Sequence, residues 1–580
     1  MVKAPILGVL AAVMSVLAAA ACESSAPARG NAPAGYGAAL RAVVDPSRER
    51  GGTIIFDDAG TPDSTDPGNT YSGPVSNIVR LYGRSLLTYR SAPGAAGSQL
   101  VPDLATGLGR VSDHGPRWTY HLKPGIRFED DGTVTSQDVK YAVERSYARD
   151  VLPGGPDYFQ MLLQDLGYRG PYKDTTPDRL GLTSVQTPDP ATIVFRLRRP
   201  FADFDYVAAL PQTMPVPPAR DTGSHYQLHP ASTGPYMFRD YQPDKQFTLV
   251  PNPYWDPATD PNRKQLAARL VFNLNINATT IDENLIHDFA QVDVTGAGIN
   301  AAAQAQILQN PALKKNADDV PTGGLAFTYI NTKVKPLDNV HCRRAIEYAA
   351  DKTAFQTARG GPLGGDVATT VLPPGLAGYD KFDLYGTAAR PHGDLARARQ
   401  ELAGLRPAGR LYHRHGLCRQ RAQGDIGGRR RAAGAVPCRE QGHSPGLPVR
   451  TYYADFAGVP SYVHQHDLGL AIGGWGADWP DGYGFLYNLV AGPAIAPAAN
   501  PNISELDDPV VNNMFTTALA TASTTARTRI WSRIDRQVMS DAAILPGVYE
   551  KLLLYRNPHL TNVYVNRYYA MYDVASLGIK

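Results

Sequence analysis

The stretch from Trp118 to Glu144 constrains the fold most, because strand patterns, turns and a helix start follow one another there within a few residues. A run of aromatic and β-branched residues precedes the turn Lys123-Pro124-Gly125, and a shorter run leads into the turn Asp130-Asp131-Gly132. Short strands joined by tight turns, with helices between them, are typical of a mixed α/β protein. We therefore predict an α/β fold.

A helix is predicted directly after this pair of strands. Thr135 is a suitable N-cap, and the side chain of Asp138 can accept a hydrogen bond from the Thr135 backbone. The helical spacing predicts that Val139 and Val143 are buried and that Asp138 and Glu144 are exposed.

The first 22 residues have the pattern of an export signal. Lys3 precedes an apolar run, residues 6–21, which is too short and too rich in alanine for a membrane-spanning helix. Ala19, Ala20 and Ala21 stand directly before Cys22 and polar residues follow it, which resembles a bacterial lipoprotein cleavage site. We expect lipidation of Cys22, with ordinary cleavage and release as the alternative. A lipidated chain lies outside the cytoplasm, anchored to the outer face of the cell membrane, and residues 23–50 read as a flexible tether.

The composition excludes several classes of protein. A formal net charge of +3 on 580 residues gives no basis for expecting nucleic acid as a partner. The cysteines beyond the leader, Cys342, Cys418 and Cys438, are scattered and form no Cys-x-x-Cys pair. Neither a disulfide framework nor a structural zinc site is expected, and we predict no metal and no cofactor.

Residues 406–449 depart from the composition of the rest of the chain. The run Arg429-Arg430-Arg431 lies among Gly, Ala and His residues, acidic residues are nearly absent, and neither the helical nor the strand period is visible. One hypothesis is a pair of compensating frameshifts in a GC-rich gene, and the alternative is a basic surface insertion. Resequencing the gene distinguishes the two.

Four separated segments resemble one family. They are Trp118 to Glu144; Thr233-Gly234-Pro235-Tyr236 with Asn252-Pro253-Tyr254-Trp255; Tyr329-Ile330-Asn331-Thr332 with Arg343 to Lys352; and Gly474 to Asp481. Together they are similar to the family-five solute-binding proteins of ABC transporters, the group that includes the oligopeptide- and dipeptide-binding proteins.

The resemblance implies an α/β, two-lobed fold like that of periplasmic binding proteins, of type II and of the large peptide-binding class. It implies a first lobe at residues 51–320, with an extra domain at about residues 95–230. The second lobe is expected at residues 321–540, and residues 541–580 are expected to return to the first lobe.

The resemblance also implies ligand-binding residues. In peptide-binding relatives the aspartate that matches Asp478 forms a salt bridge with the α-ammonium group of the ligand. Trp475 and Trp479 are expected to wall the cleft, and Tyr71 and Asn69 lie where the first-lobe loop of the family approaches the ligand. The alternative for Asp478 is that it only caps a turn.

The function implied by the resemblance is capture of peptides outside the cytoplasmic membrane. Delivery to the permease and ATPase subunits of an ABC importer would follow from hinge closure, by a monomer that is not an enzyme. A nickel chelate, an opine or an oligosaccharide stays open as the ligand, and so does a peptide receptor without a transporter.

A secreted hydrolase is the alternative from another class of protein. His464 and His466, with Asp467, suggest a metal site, but a third ligand does not stand out and a polar helix end explains them better. A His-Glu-x-x-His motif does not occur.

Overall fold

The computed structural model describes residues 35–164, 167–403, 469–496 and 500–580. The predictions for Cys22, for residues 406–449 and for the cluster at His464 and His466 lie outside these described residues. So do the predictions for Cys418 and Cys438.

Helices and strands alternate along much of the described chain. In chain order the α-helices are α1 (Gly73–Val79), α2 (Ser136–Arg145), α3 (Tyr158–Leu162), α4 (Phe204–Ala208), α5 (Ala278–Ile286), α6 (Ala301–Gln309), α7 (Pro311–Lys314), α8 (Val340–Ala349), α9 (Lys352–Ala358), α10 (Leu395–Ala403), α11 (Gly482–Val490), α12 (Pro509–Ala520) and α13 (Thr524–Asp541). The strands are β1 (Thr53–Asp57), β2 (Leu87–Tyr89), β3 (Leu100–Pro102), β4 (Arg110–Ser112), β5 (Arg117–His121), β6 (Val185–Asp189), β7 (Thr192–Arg196), β8 (Tyr236–Gln242), β9 (Gln246–Pro251), β10 (Arg269–Asn273), β11 (Val292–Asp293), β12 (Ala317–Ile330), β13 (Gly365–Val367), β14 (Leu470–Trp475), β15 (Ile544–Tyr555), β16 (Leu560–Thr561), β17 (Val565–Asn566), β18 (Met571–Tyr572) and β19 (Gly578–Ile579).

The first lobe is built on a mixed sheet with the strand order β11-β1-β10-β9-β8. Strand β1 runs parallel to β10 and β11, whereas β9 is antiparallel to both β10 and β8. Phe56, Phe272 and Phe247 are register partners across three neighbouring strands, and their rings stack with centroid separations of 4.3 Å. This stack of buried aromatic side chains stabilises the centre of the sheet.

The extra domain contains a second sheet, antiparallel throughout, with the order β4-β5-β7-β6. Helix α2 packs on this sheet and begins as predicted, because Asp138 accepts a hydrogen bond of 2.8 Å from the Thr135 backbone N–H. Val139 and Val143 are buried, as the helical spacing predicted.

The prediction that Glu144 is exposed is wrong. Its side chain is fully buried, and Oε1 accepts a hydrogen bond of 2.9 Å from the Leu182 backbone N–H. Burial raises the pKa of Glu144 to about 7, against the opposing effects of this hydrogen bond and of the Lys140 ammonium 3.8 Å away. A long-range backbone partner, which helical spacing does not reveal, holds this carboxyl inside.

The second lobe contains an antiparallel sheet with the order β13-β15-β12-β14. Helices α11, α12 and α13 pack together in this lobe. Asn339 caps α8, because its side chain accepts a hydrogen bond of 2.9 Å from the His341 N–H.

Two long paired strands, β12 and β15, run from one lobe into the other. Val320 and Leu554 belong to the apolar core of the first lobe, whereas Phe327 and Ile544 belong to the core that includes the second lobe. The pairing begins at Ala317 and continues to Tyr329, so the two strands connect the lobes.

The pairing of β12 with β15 is interrupted where the strands pass between the lobes. Its register shifts between Pro321 and Leu325, and Gly323 has a φ of 73°. A glycine adopts this left-handed conformation without strain, so the chain can bend here.

Residues 35–44, which the sequence assigns to a flexible tether reaching residue 50, pack on the folded body. Ala38 and Ala39 are buried, and the Ala39 N–H donates a hydrogen bond of 3.0 Å to the Asp318 side chain. The boundaries at residues 95, 230, 320 and 540 stay predictions. Among the described residues no helix combines the length and the apolar character that a membrane span requires.

Candidate ligand-binding site

A cavity of about 210 Å³ lies between the lobes. Its wall combines Thr70 and Tyr71 from the loop before α1, Leu210 from the segment after α4, and Asp478 from the loop after β14. The other aromatic residues on the wall are Tyr89, Tyr568 and Tyr569. A concave site with aromatic walls and a small number of polar groups is the usual form of a small-molecule site.

Asp478 lies in the short loop between β14 and α11, which two local features fix. The Asp481 carboxylate caps α11 by accepting hydrogen bonds from the backbone N–H groups of Tyr483 and Gly484. A Cβ on Gly484 would stand 2.7 Å from the Trp479 carbonyl oxygen, so only glycine permits this close turn. Asp481 rather than Asp478 therefore caps the helix, and Asp478 lines the cavity.

The Asp478 carboxylate is held by neutral hydrogen-bond donors from several parts of the chain. The Tyr71 hydroxyl donates to Oδ1 at 2.7 Å, the Tyr158 hydroxyl donates to Oδ2, and the Asn488 side-chain amide donates to Oδ2 at 3.1 Å. The Tyr568 hydroxyl donates to the Asp478 carbonyl oxygen at 3.0 Å. First lobe, extra domain and second lobe thus meet at one carboxylate.

No cationic side chain among the described residues forms an ion pair with Asp478. Burial raises the pKa of Asp478 from its ordinary value near 3.8 to about 6, and the charge of Asp157 adds to this rise. The hydrogen bonds from Tyr158 and Tyr71 act in the opposite direction but do not outweigh burial. The cavity therefore contains an anionic group that lacks a positive partner.

Trp479 packs where the extra domain meets the second lobe. It is fully buried, and its ring stacks on those of Tyr206 and Tyr483 with centroid separations of 5.9 and 5.7 Å. Its ring also meets Phe201 edge to face at 6.3 Å. Trp479 is not among the residues that line the 210 Å³ cavity, so here it joins two domains rather than forming the cavity wall.

Trp475 and Asn69 also lie outside the cavity wall. Trp475 is half-buried at the end of β14, opposite Leu325 of β12, and within the described chain its indole N–H has no hydrogen-bond partner. The Asn69 side chain accepts a hydrogen bond of 2.8 Å from the Gly154 N–H, which ties the first-lobe loop to the extra domain. Of the predicted site residues, Asp478 and Tyr71 are the two that meet in the cavity.

Sequence reasoning missed Tyr158, Asn488 and Tyr568, which surround Asp478. Tyr158 and Tyr568 lie 320 and 90 residues from Asp478 along the chain, so no local pattern connects them. The pair Tyr568-Tyr569 in a tyrosine-rich chain end was the one available signal. The described residues contain no group of three or more His, Cys, Asp or Glu side chains placed to hold a metal ion.

We expect the unliganded Asp478→Asn protein to be more stable than the wild type at neutral pH. The raised pKa means that protonated Asp478 stabilises the fold at low pH, and this contribution is lost as the pH rises through about 6. Both proteins are first freed of ligand by unfolding and refolding. Thermal unfolding should then show that the free energy of unfolding of the variant exceeds that of the wild type by an amount that grows from pH about 4 to pH about 7.5. At the upper end the variant should gain about 1–3 kcal/mol.

The matched control is Asp240→Asn, which removes one exposed carboxylate from β8, outside the cavity. A wild type as stable as Asp478→Asn at every pH would contradict the picture of a strained, unpaired carboxylate.

Comparison with known proteins identifies the family to which the chain belongs. Residues 99–496 match the family model described as bacterial extracellular solute-binding proteins, family 5 middle. The chain is similar to a probable D,D-dipeptide-binding periplasmic protein of Escherichia coli, at 25% identity over 84% of this chain and 87% of that protein. It is also similar to the periplasmic oligopeptide-binding protein of Escherichia coli, at 23% identity over 89% of each.

Among solved structures, the clavulanic acid biosynthesis oligopeptide binding protein 2 superposes with a TM-score of 0.83 at 39% identity. The superposition covers 94% of this chain and 99% of that one. These matches confirm the two-lobed fold that the four sequence segments implied. The chain belongs to the bacterial extracellular solute-binding proteins of family 5, which are binding proteins and not enzymes.

Proposed function

We propose that this protein captures peptides with a free amino terminus outside the cytoplasmic membrane and delivers them to the permease of an ABC importer. The observation that carries the proposal is the Asp478 carboxylate, which faces the 210 Å³ cavity without a cationic partner in the described chain. Two relatives are described as dipeptide-binding and oligopeptide-binding proteins, which points to the same class of ligand.

An ammonium group is the partner that this carboxylate lacks. A buried charge without a partner costs several kcal/mol, and a hydrogen-bonded ion pair removes much of that cost. Tyr71 and Tyr158 keep their protons beside Asp478, because burial and the neighbouring carboxylate raise the pKa of both phenols. They therefore remain donors and cannot replace a cation. A neutral oligosaccharide would leave the carboxylate unpaired, so an amine-bearing solute is favoured.

Capture is proposed to work by closure of the two lobes around the peptide. Tyr71 and Tyr158 on one side contact Asp478 on the other, and opening of the lobes would break these hydrogen bonds. The bend at Gly323 in the paired strands β12 and β15 is the proposed hinge. A ligand that binds the closed state more tightly shifts the population toward it, and the closed protein then docks on the permease.

The site proposal is tested with peptide pools on the refolded, ligand-free chain. A pool of random di- to pentapeptides should raise the melting temperature of the wild type, since a ligand at a hundred times its Kd contributes about 2.7 kcal/mol. Asp478→Ala should weaken binding by a hundredfold or more, because loss of a buried ionic partner costs about 3–5 kcal/mol.

The control for this experiment is the same pool with acetylated amino termini. Acetylation should reduce binding by the wild type strongly and leave the weak binding by Asp478→Ala unchanged. An Asp478→Ala protein that keeps the full stabilisation by free-amine peptides would overturn the assignment of the anchor.

We further propose that the mature chain is a lipoprotein held at Cys22. Expressed in a bacterium with a lipoprotein-processing pathway, the wild type should fractionate with membranes. Mass spectrometry of its amino terminus should show an acylated cysteine. The Cys22→Ser protein should lack the acyl group. A wild-type chain recovered without lipid from the extracellular medium would rule the anchor out.

A further inference from the structure

The outer face of the sheet in the extra domain carries a row of arginines. Trp118 and Tyr120 of β5 and Phe195 of β7 belong to the apolar core. Because side chains alternate along a strand, Arg117 and Arg196 point away from that core. These two residues are register partners on neighbouring antiparallel strands. The outer face therefore presents two cations directly opposite each other.

The row of arginines continues beyond this pair. On β4, Arg110 is the register partner of Thr119, which shares the outer face with Arg117. Further along the chain, Arg198 follows Arg196 by two residues and is exposed, as are Arg110 and Arg196. We call the surface formed by Arg110, Arg117, Arg196 and Arg198 the arginine face.

The charges of the arginine face lack counter-ions within the described chain. Its register partners Ser112 and Thr119 are neutral, and Asp113, in the turn after β4, pairs with none of the four arginines. None of the four forms an ion pair with any other described residue. Like charges directly opposite each other destabilise a sheet, so the pair Arg117 and Arg196 costs stability. An anionic partner would remove that cost.

Two exposed aliphatic side chains lie next to Arg110 in the sequence, at the edge of the sheet. Leu108 and Val111 are each 52% exposed. Val111 belongs to β4, which ends the strand order of this sheet. Cations together with exposed aliphatic side chains are typical of protein surfaces that lie on an anionic membrane.

We propose that the arginine face binds anionic phospholipid headgroups, so that the extra domain rests on the outer surface of the cell membrane. A guanidinium group donates two parallel hydrogen bonds to a phosphate group and stays charged at any physiological pH. A fluid layer of headgroups adapts to a sheet face, whereas an acidic protein partner needs a complementary shape. Leu108 and Val111 would enter the boundary between the headgroups and the acyl chains. The inference goes beyond peptide capture, because the arginine face lies outside the ligand cavity.

The test measures partition of the protein onto lipid vesicles by sedimentation at low salt. The reference protein is the mature chain from residue 22 with Cys22→Ser, so that neither the leader nor an acyl chain contributes. It should bind vesicles of equal parts phosphatidylglycerol and phosphatidylcholine, and should not bind vesicles of phosphatidylcholine alone. The triple variant Arg110→Gln, Arg117→Gln and Arg196→Gln should lower the partition coefficient about a hundredfold, because each cation near an anionic surface contributes about a factor of five.

The matched control removes three exposed cations from the first lobe, through Arg239→Gln, Lys245→Gln and Arg269→Gln. It has the same net charge as the triple variant and should bind the vesicles as the reference protein does. The triple variant should melt no lower than the reference protein, since it removes the like-charged pair on β5 and β7. The single variant Arg110→Gln should lower the partition coefficient about fivefold, so it decides the question even if the triple variant does not fold.

Several outcomes would overturn the inference. Equal partition of the reference protein and the triple variant would do so, and so would an equal loss in the matched control, because net charge alone would then explain binding. A loss that instead follows replacement of Arg429, Arg430 and Arg431 by Gln would assign binding to that run of arginines. Binding of soluble poly-glutamate through the arginine face, without binding of vesicles, would make an acidic polypeptide the partner and reject the membrane.

Discussion

The structure depends on one carboxylate that has donors around it but no cation. Asp478 accepts hydrogen bonds from Tyr71 of the first lobe, Tyr158 of the extra domain and Asn488 of the second lobe. These contacts bring three parts of the chain to one point, yet burial still raises the pKa of the acid to about 6. We propose that the ammonium group of a ligand supplies the positive partner that this acid lacks.

The surrounding fold places this acid and limits its movement. Asp481 caps α11, and Gly484 lets the first turn of that helix close on the loop that carries Asp478. Trp479, directly next to the acid, stacks on Tyr206 of the extra domain. Trp479 therefore packs in the contact between the extra domain and the second lobe, and the proposed hinge in β12 and β15 would let the lobes separate.

Local patterns in the sequence predict local structure well in this chain. The helix start at Thr135 and Asp138 and the cap at Asn339 follow from rules that span three residues. Burial of Glu144 does not follow, because the Leu182 N–H that it accepts is 38 residues away. For the same reason Asp478 could be proposed from a motif, while Tyr158 and Tyr568 required the folded chain.

The most direct test of the central claim is the number of protons released when a free-amine peptide binds near pH 6. The unliganded protein should carry a proton on Asp478 in about half of its molecules, and an ammonium partner should displace it. Titration calorimetry in two buffers of different ionisation enthalpy should therefore show release of about half a proton by the wild type, and none by Asp478→Asn. A wild type that binds the peptide without releasing protons would contradict the account.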